Sequence, residues 1–123
     1  MGRHLSDRLL RDGIYVAITG FENSNEPNYY RIDFGNPETF SSIGGQQFDT
    51  ILILASKLQS LGTCRLDHPD LETNVLGLGH FLEYVKRNVN SNKLVYISSM
   101  TVYCPDNESP VEEDTKLAAL STY

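Results

Sequence analysis

Polar side chains that could contact a ligand stand at the ends of the apolar runs of this sequence. The run that begins at Leu94 ends in Ser98, Ser99 and Thr101, and an earlier run ends in Asp33. In open parallel sheets, ligands bind outside the carboxyl ends of the strands. Hydroxyls and a carboxylate in such a crevice can exchange hydrogen bonds with a polar ligand. Serines also end strands without any catalytic role, so these residues alone indicate a crevice and leave its chemistry open.

A longer motif surrounds these hydroxyls. Ser98-Ser-Met-Thr-Val-Tyr103 is followed by Pro110-Val-Glu112 and then by Tyr123. This order resembles the active-site half of the extended short-chain dehydrogenase/reductase family, the NAD(P)-dependent sugar-nucleotide epimerases and dehydratases such as UDP-galactose 4-epimerase. The resemblance implies roles for four of these residues: Ser99 and Tyr123 in catalysis, Thr101 in substrate binding and Ser98 in cofactor binding.

The mechanism that the resemblance implies is hydride transfer between a sugar carbon and a nicotinamide, with the hydroxyl proton taken by the phenolate of Tyr123. A free tyrosine has a pKa near ~10, so a nearby cation is needed to lower this pKa toward neutral pH. In the family this cation is the lysine of a Y-x-x-x-K motif, whose position lies beyond Tyr123. We therefore expect the parent protein to be an enzyme and this chain alone to be inactive.

The resemblance extends to a cofactor site for NAD or NADP. Gly2-Arg-His-Leu5 resembles the segment that starts at the last glycine of a G-x-x-G-x-x-G motif, where a helix N-terminus meets a pyrophosphate. Thr19-Gly20-Phe21 offers neither an acid for the ribose hydroxyls nor an arginine for a 2′-phosphate, so the choice between NAD and NADP stays open. The other cofactor-binding residues that the resemblance implies are Asp33 and Phe34 at the adenine, Leu54, Ala55 and Ser56 in the turn under the cofactor, and Asn74 in Asn74-Val-Leu-Gly77.

The residue types leave two of these roles open. An aspartate at a strand end, such as Asp33, often serves as a turn or cap residue. An asparagine is unfavourable inside a helix because its amide competes for main-chain hydrogen bonds. Asn74 therefore indicates either ligand binding or bracing of a loop.

Apolar runs alternate with helical patterns along the chain. Residues 49–55 read as a continuous apolar strand covered on both faces. Asn36-Pro37-Glu38 has the cap, proline and acid of a helix start, and Gly13 is placed as a helix C-cap. The predicted strands are 14–19, 29–34, 49–55 and 94–99, and the predicted helices are 2–12, 36 to near 44, and 70–89. This alternation predicts a Rossmann-like three-layer α/β fold with a parallel sheet.

We expect this sheet to be incomplete, with the family's first strand and its C-terminal part missing, so that residues 1–123 form a single partial domain. The missing first strand should leave a gap between the strands at 14–19 and 49–55. Two inner strand edges would then lack partners, which favours aggregation and marginal stability.

Composition limits the other function classes. Sixteen acidic against ten basic residues give a net charge of −6, which argues against a nucleic-acid partner. No apolar run is long enough to span a membrane, and the N-terminus lacks the apolar centre of a signal peptide, so we expect a cytoplasmic protein without a membrane partner. Cys64 and Cys104 are expected to be free thiols, and the acidic segment 106–115 a solvated loop without a metal.

The resemblance implies a nucleotide-sugar substrate and allows a homodimer for the complete enzyme. A second hypothesis is a degenerate NAD(P)-binding regulatory or scaffold protein without catalysis. A third is an interaction module that binds no nucleotide, in which Asp33, Asn74 and Ser99 would serve packing alone.

Overall fold

The first helix begins where the sequence predicts it and ends at a glycine. In the computed structural model, which describes residues 1–57, 71–103 and 110–118, helix α1 spans Gly2–Arg11. Gly13 has φ +76°, and the Ile14 N–H donates to the Leu9 carbonyl at 3.0 Å. A left-handed residue at this place is the usual end of a helix, and glycine adopts it without steric cost.

Strands β1 (Ile18–Gly20) and β2 (Tyr29–Arg31) form a parallel pair in which Ile18 is opposite Tyr29. Both are shorter than the predicted 14–19 and 29–34. The N–H of Ile32 still donates to the Gly20 carbonyl, but Asp33 and Asn36 then form a tight antiparallel bridge. The polar turn at Asp33 thus ends the second strand early.

The helix predicted from residue 36 is a 3₁₀ helix, Pro37–Ile43, and the Asn36 side chain caps it by accepting from the Glu38 N–H. The Thr39 and Ser41 hydroxyls each donate to a main-chain carbonyl three residues earlier, at 2.8 Å. Such bonds compete with α-helical hydrogen bonding, which explains the tighter helix.

Strands β3 (Gln47–Ile53) and β4 (Asn90–Tyr96) form the second parallel pair, with Ile53 opposite Tyr96. The predicted start of β4 at residue 94 was wrong, because the polar residues that precede Leu94 also pair with β3. The prediction that 49–55 is covered on both faces was also wrong in the described part of the chain, since Ile53 is buried while Leu52 is 40% exposed. Leu94 and Ile97, both in the apolar run that begins at Leu94, are half exposed.

The long helix predicted at 70–89 is present in two parts. A π-helical segment, Glu72–Gly77, leads directly into α2, Leu78–Asn88. The Leu78 N–H donates to the Thr73 carbonyl, the five-residue spacing that defines a π turn. A final 3₁₀ turn spans Met100–Val102.

The hydrophobic core lies between α2, the 3₁₀ helix and the strand pairs. The Phe40 ring packs edge-on against Phe81 with centroids 5.3 Å apart, and Phe34 packs on Phe81 at 5.2 Å. Aromatic pairs at these distances prefer such tilted geometries. The buried members of the core are Ile32, Phe40, Ile43, Ile53, Phe81, Val85 and Val89.

The four strands form two separate two-stranded sheets, and no main-chain pairing joins β1 to β3 among the described residues. The predicted α/β class with parallel strands is confirmed, as an incomplete Rossmann-like arrangement. The two sheets are the two strand pairs that the predicted gap would separate. No helix in the described segments is both long and apolar enough to cross a membrane.

Candidate functional site

The carboxyl ends of β3 and β4 lie side by side. The Ile97 N–H donates to the Ile53 carbonyl at 3.0 Å, which continues the ladder past the last paired residues. Leu54 and Ala55 therefore leave the sheet next to Ser98. Parallel pairing thus brings two of the predicted site segments to one edge, where ligands bind in open sheets.

The N-terminus of α1 reaches the same edge. A side-chain carbon built on Gly2 would lie 3.8 Å from Leu54 Cδ1, so the first turn of α1 is close to the end of β3. No acidic residue stands in this first turn, and no side chain caps it. A helix start with free N–H groups and no negative charge fits a pyrophosphate. This helix start therefore offers N–H groups beside Leu54, and a cofactor contact of Gly2 stays a prediction.

Asp33 forms a turn. Its Oδ1 accepts from the Gly35 N–H at 2.9 Å, and its own N–H donates to the Thr39 hydroxyl at 2.9 Å. This is the turn role that the residue type left open. The ring of Phe34 packs against the core at Phe81, so any contact of Phe34 with an adenine stays a prediction.

Asn74 holds a loop. Its Oδ1 accepts from the Lys57 N–H, and its Nδ2 donates to the Lys57 carbonyl, both at 2.7 Å. One side-chain amide thus pairs with the N–H and the carbonyl of a residue that directly follows the Leu54-Ala55-Ser56 turn. The bracing role that the sequence left open is therefore present, and a cofactor contact of Asn74 stays a prediction.

The Ser99 hydroxyl caps the 3₁₀ turn that follows β4. Ser99 Oγ accepts from the Thr101 N–H at 3.2 Å and from the Thr101 hydroxyl at 2.9 Å. Farther along, the Ala118 N–H donates to the Val102 carbonyl at 2.9 Å, so the chain returns to this end of β4. Tyr123 lies outside the described residues, and its predicted role in catalysis stays a prediction.

Two features were not predicted from the sequence, and only the first concerns a segment of the site. A side-chain carbon on Gly77 would collide with the main-chain carbonyl of Phe34, so this glycine lets the helix approach the turn that follows β2. The signal was a glycine inside a helical pattern, where alanine is the better helix former. Near the start of β1, a hydrogen bond with Tyr30 raises the pKa of the Tyr15 phenol, with smaller contributions from desolvation and the Tyr30 charge.

No set of metal ligands is present in the part of the chain that the structure describes. No three His, Cys, Asp or Glu side chains come together there in a way that could hold a metal ion.

Comparison with known proteins connects this arrangement to one family. The model of the NAD-dependent epimerase/dehydratase family matches residues 1–123. A search of curated proteins found no match. The family match covers each segment that meets at the strand ends, and it implies a nicotinamide nucleotide as cofactor. The chain belongs to the NAD-dependent epimerase/dehydratase family.

Proposed function

We propose that residues 1–123 form the cofactor-binding part of an NAD(P)-dependent sugar-nucleotide epimerase or dehydratase, and that they make up one domain. The observation that carries this proposal is the meeting of Gly2, Leu54 and Ser98 at one sheet edge, in a chain that the family model matches throughout. These are the segments that a dinucleotide would contact in an open α/β sheet.

The chain's own groups supply the binding. The free N–H groups of the first turn of α1 would hold the pyrophosphate, and the turn at Leu54 and Ala55 would support the cofactor from below. The nicotinamide, when bound, would supply the acceptor and donor for the hydride. The end of β1, Thr19-Gly20-Phe21, carries no group that selects between NAD and NADP, so the proposal includes both cofactors.

Ser99 orients the substrate by donating a hydrogen bond. Its oxygen already accepts twice from Thr101, and no acceptor for its own proton is found in the described part of the chain, so this proton can bond a substrate oxygen. Hydrogen bonds in series strengthen one another. Because the Ser99 oxygen accepts two hydrogen bonds, its hydroxyl is a stronger donor. Tyr123 exchanges the proton of the same substrate hydroxyl, and the substrate that we propose is a nucleotide sugar.

An extended protein tests the proposal. It adds before Gly2 a strand with a glycine-rich turn, and after Tyr123 a segment that carries the lysine of the Y-x-x-x-K motif. We expect weak NADH binding by residues 1–123 alone. In the extended protein we expect tighter NADH binding, measured by nicotinamide fluorescence, together with hydride transfer from a nucleotide sugar to NAD+ or NADP+. NADPH is titrated in parallel.

Tyr123→Phe in the extended protein separates catalysis from binding. The phenol transfers a proton, so this change should abolish turnover and leave NADH affinity nearly unchanged. An extended protein that binds neither NADH nor NADPH would overturn the proposal. Binding without any turnover would instead favour a regulatory or scaffold role.

A further inference from the structure

We propose that Asn74 is a positioning residue: its amide fixes the main chain of Lys57 and so sets the loop 54–57 that supports the cofactor. This inference rests on the proposed function for the identity of the ligand. The contact itself is independent of the proposed function: two 2.7 Å hydrogen bonds join Asn74 and Lys57, which are 17 positions apart. Asn74 acts through this loop.

The chemistry of the primary amide fits this role. It offers a carbonyl acceptor and N–H donors on one planar group, so it can pair with the N–H and the C=O of a single residue as a neighbouring strand would. Lys57 follows the end of β3, where the ladder with β4 has already stopped. The Asn74 amide therefore continues main-chain pairing past the end of the sheet.

The π turn places Asn74 for this contact. A π turn is wider than an α turn and is often found at functional sites. The same turn carries Gly77, which packs on the Phe34 carbonyl in the turn that follows β2. The segment Glu72–Gly77 thus contacts the segments that follow β2 and β3, two strands that belong to separate sheets. It connects them where no strand pairing does among the described residues.

The loop that Asn74 holds lies at the proposed cofactor site. Leu54, three residues before Lys57, lies beside the N-terminus of α1 at Gly2. If Lys57 is released, the turn at Ala55 and Ser56 loses its fixed C-terminal end, and the surface under the dinucleotide is no longer preformed. The turn must then become ordered when the dinucleotide binds, and the entropy cost of this ordering lowers the affinity.

Amide hydrogen exchange of residues 1–123 tests the contact. Asn74→Ala should lower the protection of the Lys57 amide by roughly tenfold or more, the scale of one lost hydrogen bond, and should leave the Val85 amide in the core unchanged. Asn74→Asp keeps an acceptor for the Lys57 N–H and loses the donor, so it should give an intermediate value. Asn88→Ala is the matched control, because among the described residues the Asn88 side chain bonds only to the Tyr84 carbonyl of its own helix.

NADH affinity of the extended protein tests the positioning role. We expect Asn74→Ala to weaken NADH binding by roughly tenfold, Asn74→Asp by less, and Asn88→Ala to leave it unchanged. Unchanged exchange at Lys57 would overturn the contact, and faster exchange throughout the core would show a merely structural role. If Asn74→Ala increases exchange at Lys57 but leaves the NADH affinity unchanged, the positioning role of Asn74 is overturned. Failure of the unsubstituted extended protein to bind NADH would overturn the proposed function instead, and the exchange result at Lys57 would still stand.

Discussion

Gly77 packs against the main-chain carbonyl of Phe34 with no room for a side chain between them. A Cβ at Gly77 would also lie 3.0 Å from the Cβ of Phe34, which is tighter than ordinary van der Waals contact. Because the obstructing atoms belong mainly to the main chain, they cannot rotate out of the way. The helix and the turn that follows β2 can therefore approach this closely only while residue 77 is glycine.

Gly77→Ala is expected to destabilise the protein by about 1–3 kcal/mol, the usual cost of overpacking, despite the better helix propensity of alanine. Gly79→Ala is the matched control on the same helix, because open space surrounds a Cβ at that position. It should stabilise the helix by roughly 0.5–1 kcal/mol. Urea unfolding of both variants measures the difference, and equal midpoints would contradict the packing argument.

Local patterns predicted the elements well, but not the contacts between distant segments. The apolar stripe that begins at Leu71 predicted the long helix, yet it could not show that this helix begins with a π turn. That turn is tied to Lys57 and Phe34, whose positions depend on the fold. The first half of β4, Asn90-Ser-Asn-Lys93, has no strand signal, because it forms a strand only through pairing with β3.

In the candidate site, too, the positions of the elements were predictable and the individual contacts were not. Parallel pairing of β3 with β4 made it predictable that Leu54 and Ser98 would share an edge. In contrast, the two hydrogen bonds from Thr101 to Ser99 depend on a local 3₁₀ turn, which no periodicity of apolar residues reveals.

Phe40→Ala is expected to cost about 3–5 kcal/mol, because the ring is 1% exposed and contacts both Phe81 and Tyr84. Phe21→Ala is the control, since that ring is 67% exposed and its loss should change stability by less than about 0.5 kcal/mol. Denaturant unfolding measures both. A similar effect of the two substitutions would contradict the position of the core.

The tyrosine pair near β1 predicts a pH effect at the alkaline end. The hydrogen bond with Tyr30 raises the pKa of Tyr15 above its unfolded value near ~10. Folding therefore favours the protonated phenol. The resulting stability is fully present below the unfolded pKa and is lost as the pH rises through the folded pKa. Tyrosinate absorbance should show Tyr15 titrating earlier in Tyr30→Phe. Tyr29→Phe should not change it, because the Tyr29 hydroxyl donates elsewhere, to the Glu22 carbonyl.

Ser99→Ala in the extended protein should lower kcat by roughly tenfold, the scale of one orienting hydrogen bond. The loss should be smaller than in Tyr123→Phe, because the proton-transfer group stays in place. Thr101→Val removes the hydroxyl that donates to Ser99 and keeps the side-chain shape. It should weaken Ser99 as a donor and lower kcat by less than Ser99→Ala does. Steady-state turnover of a nucleotide sugar, with NADH affinity measured in parallel, compares the three variants. A Ser99→Ala protein with full kcat would remove Ser99 from the mechanism, and a Thr101→Val protein slower than Ser99→Ala would show that Thr101 contacts the substrate itself.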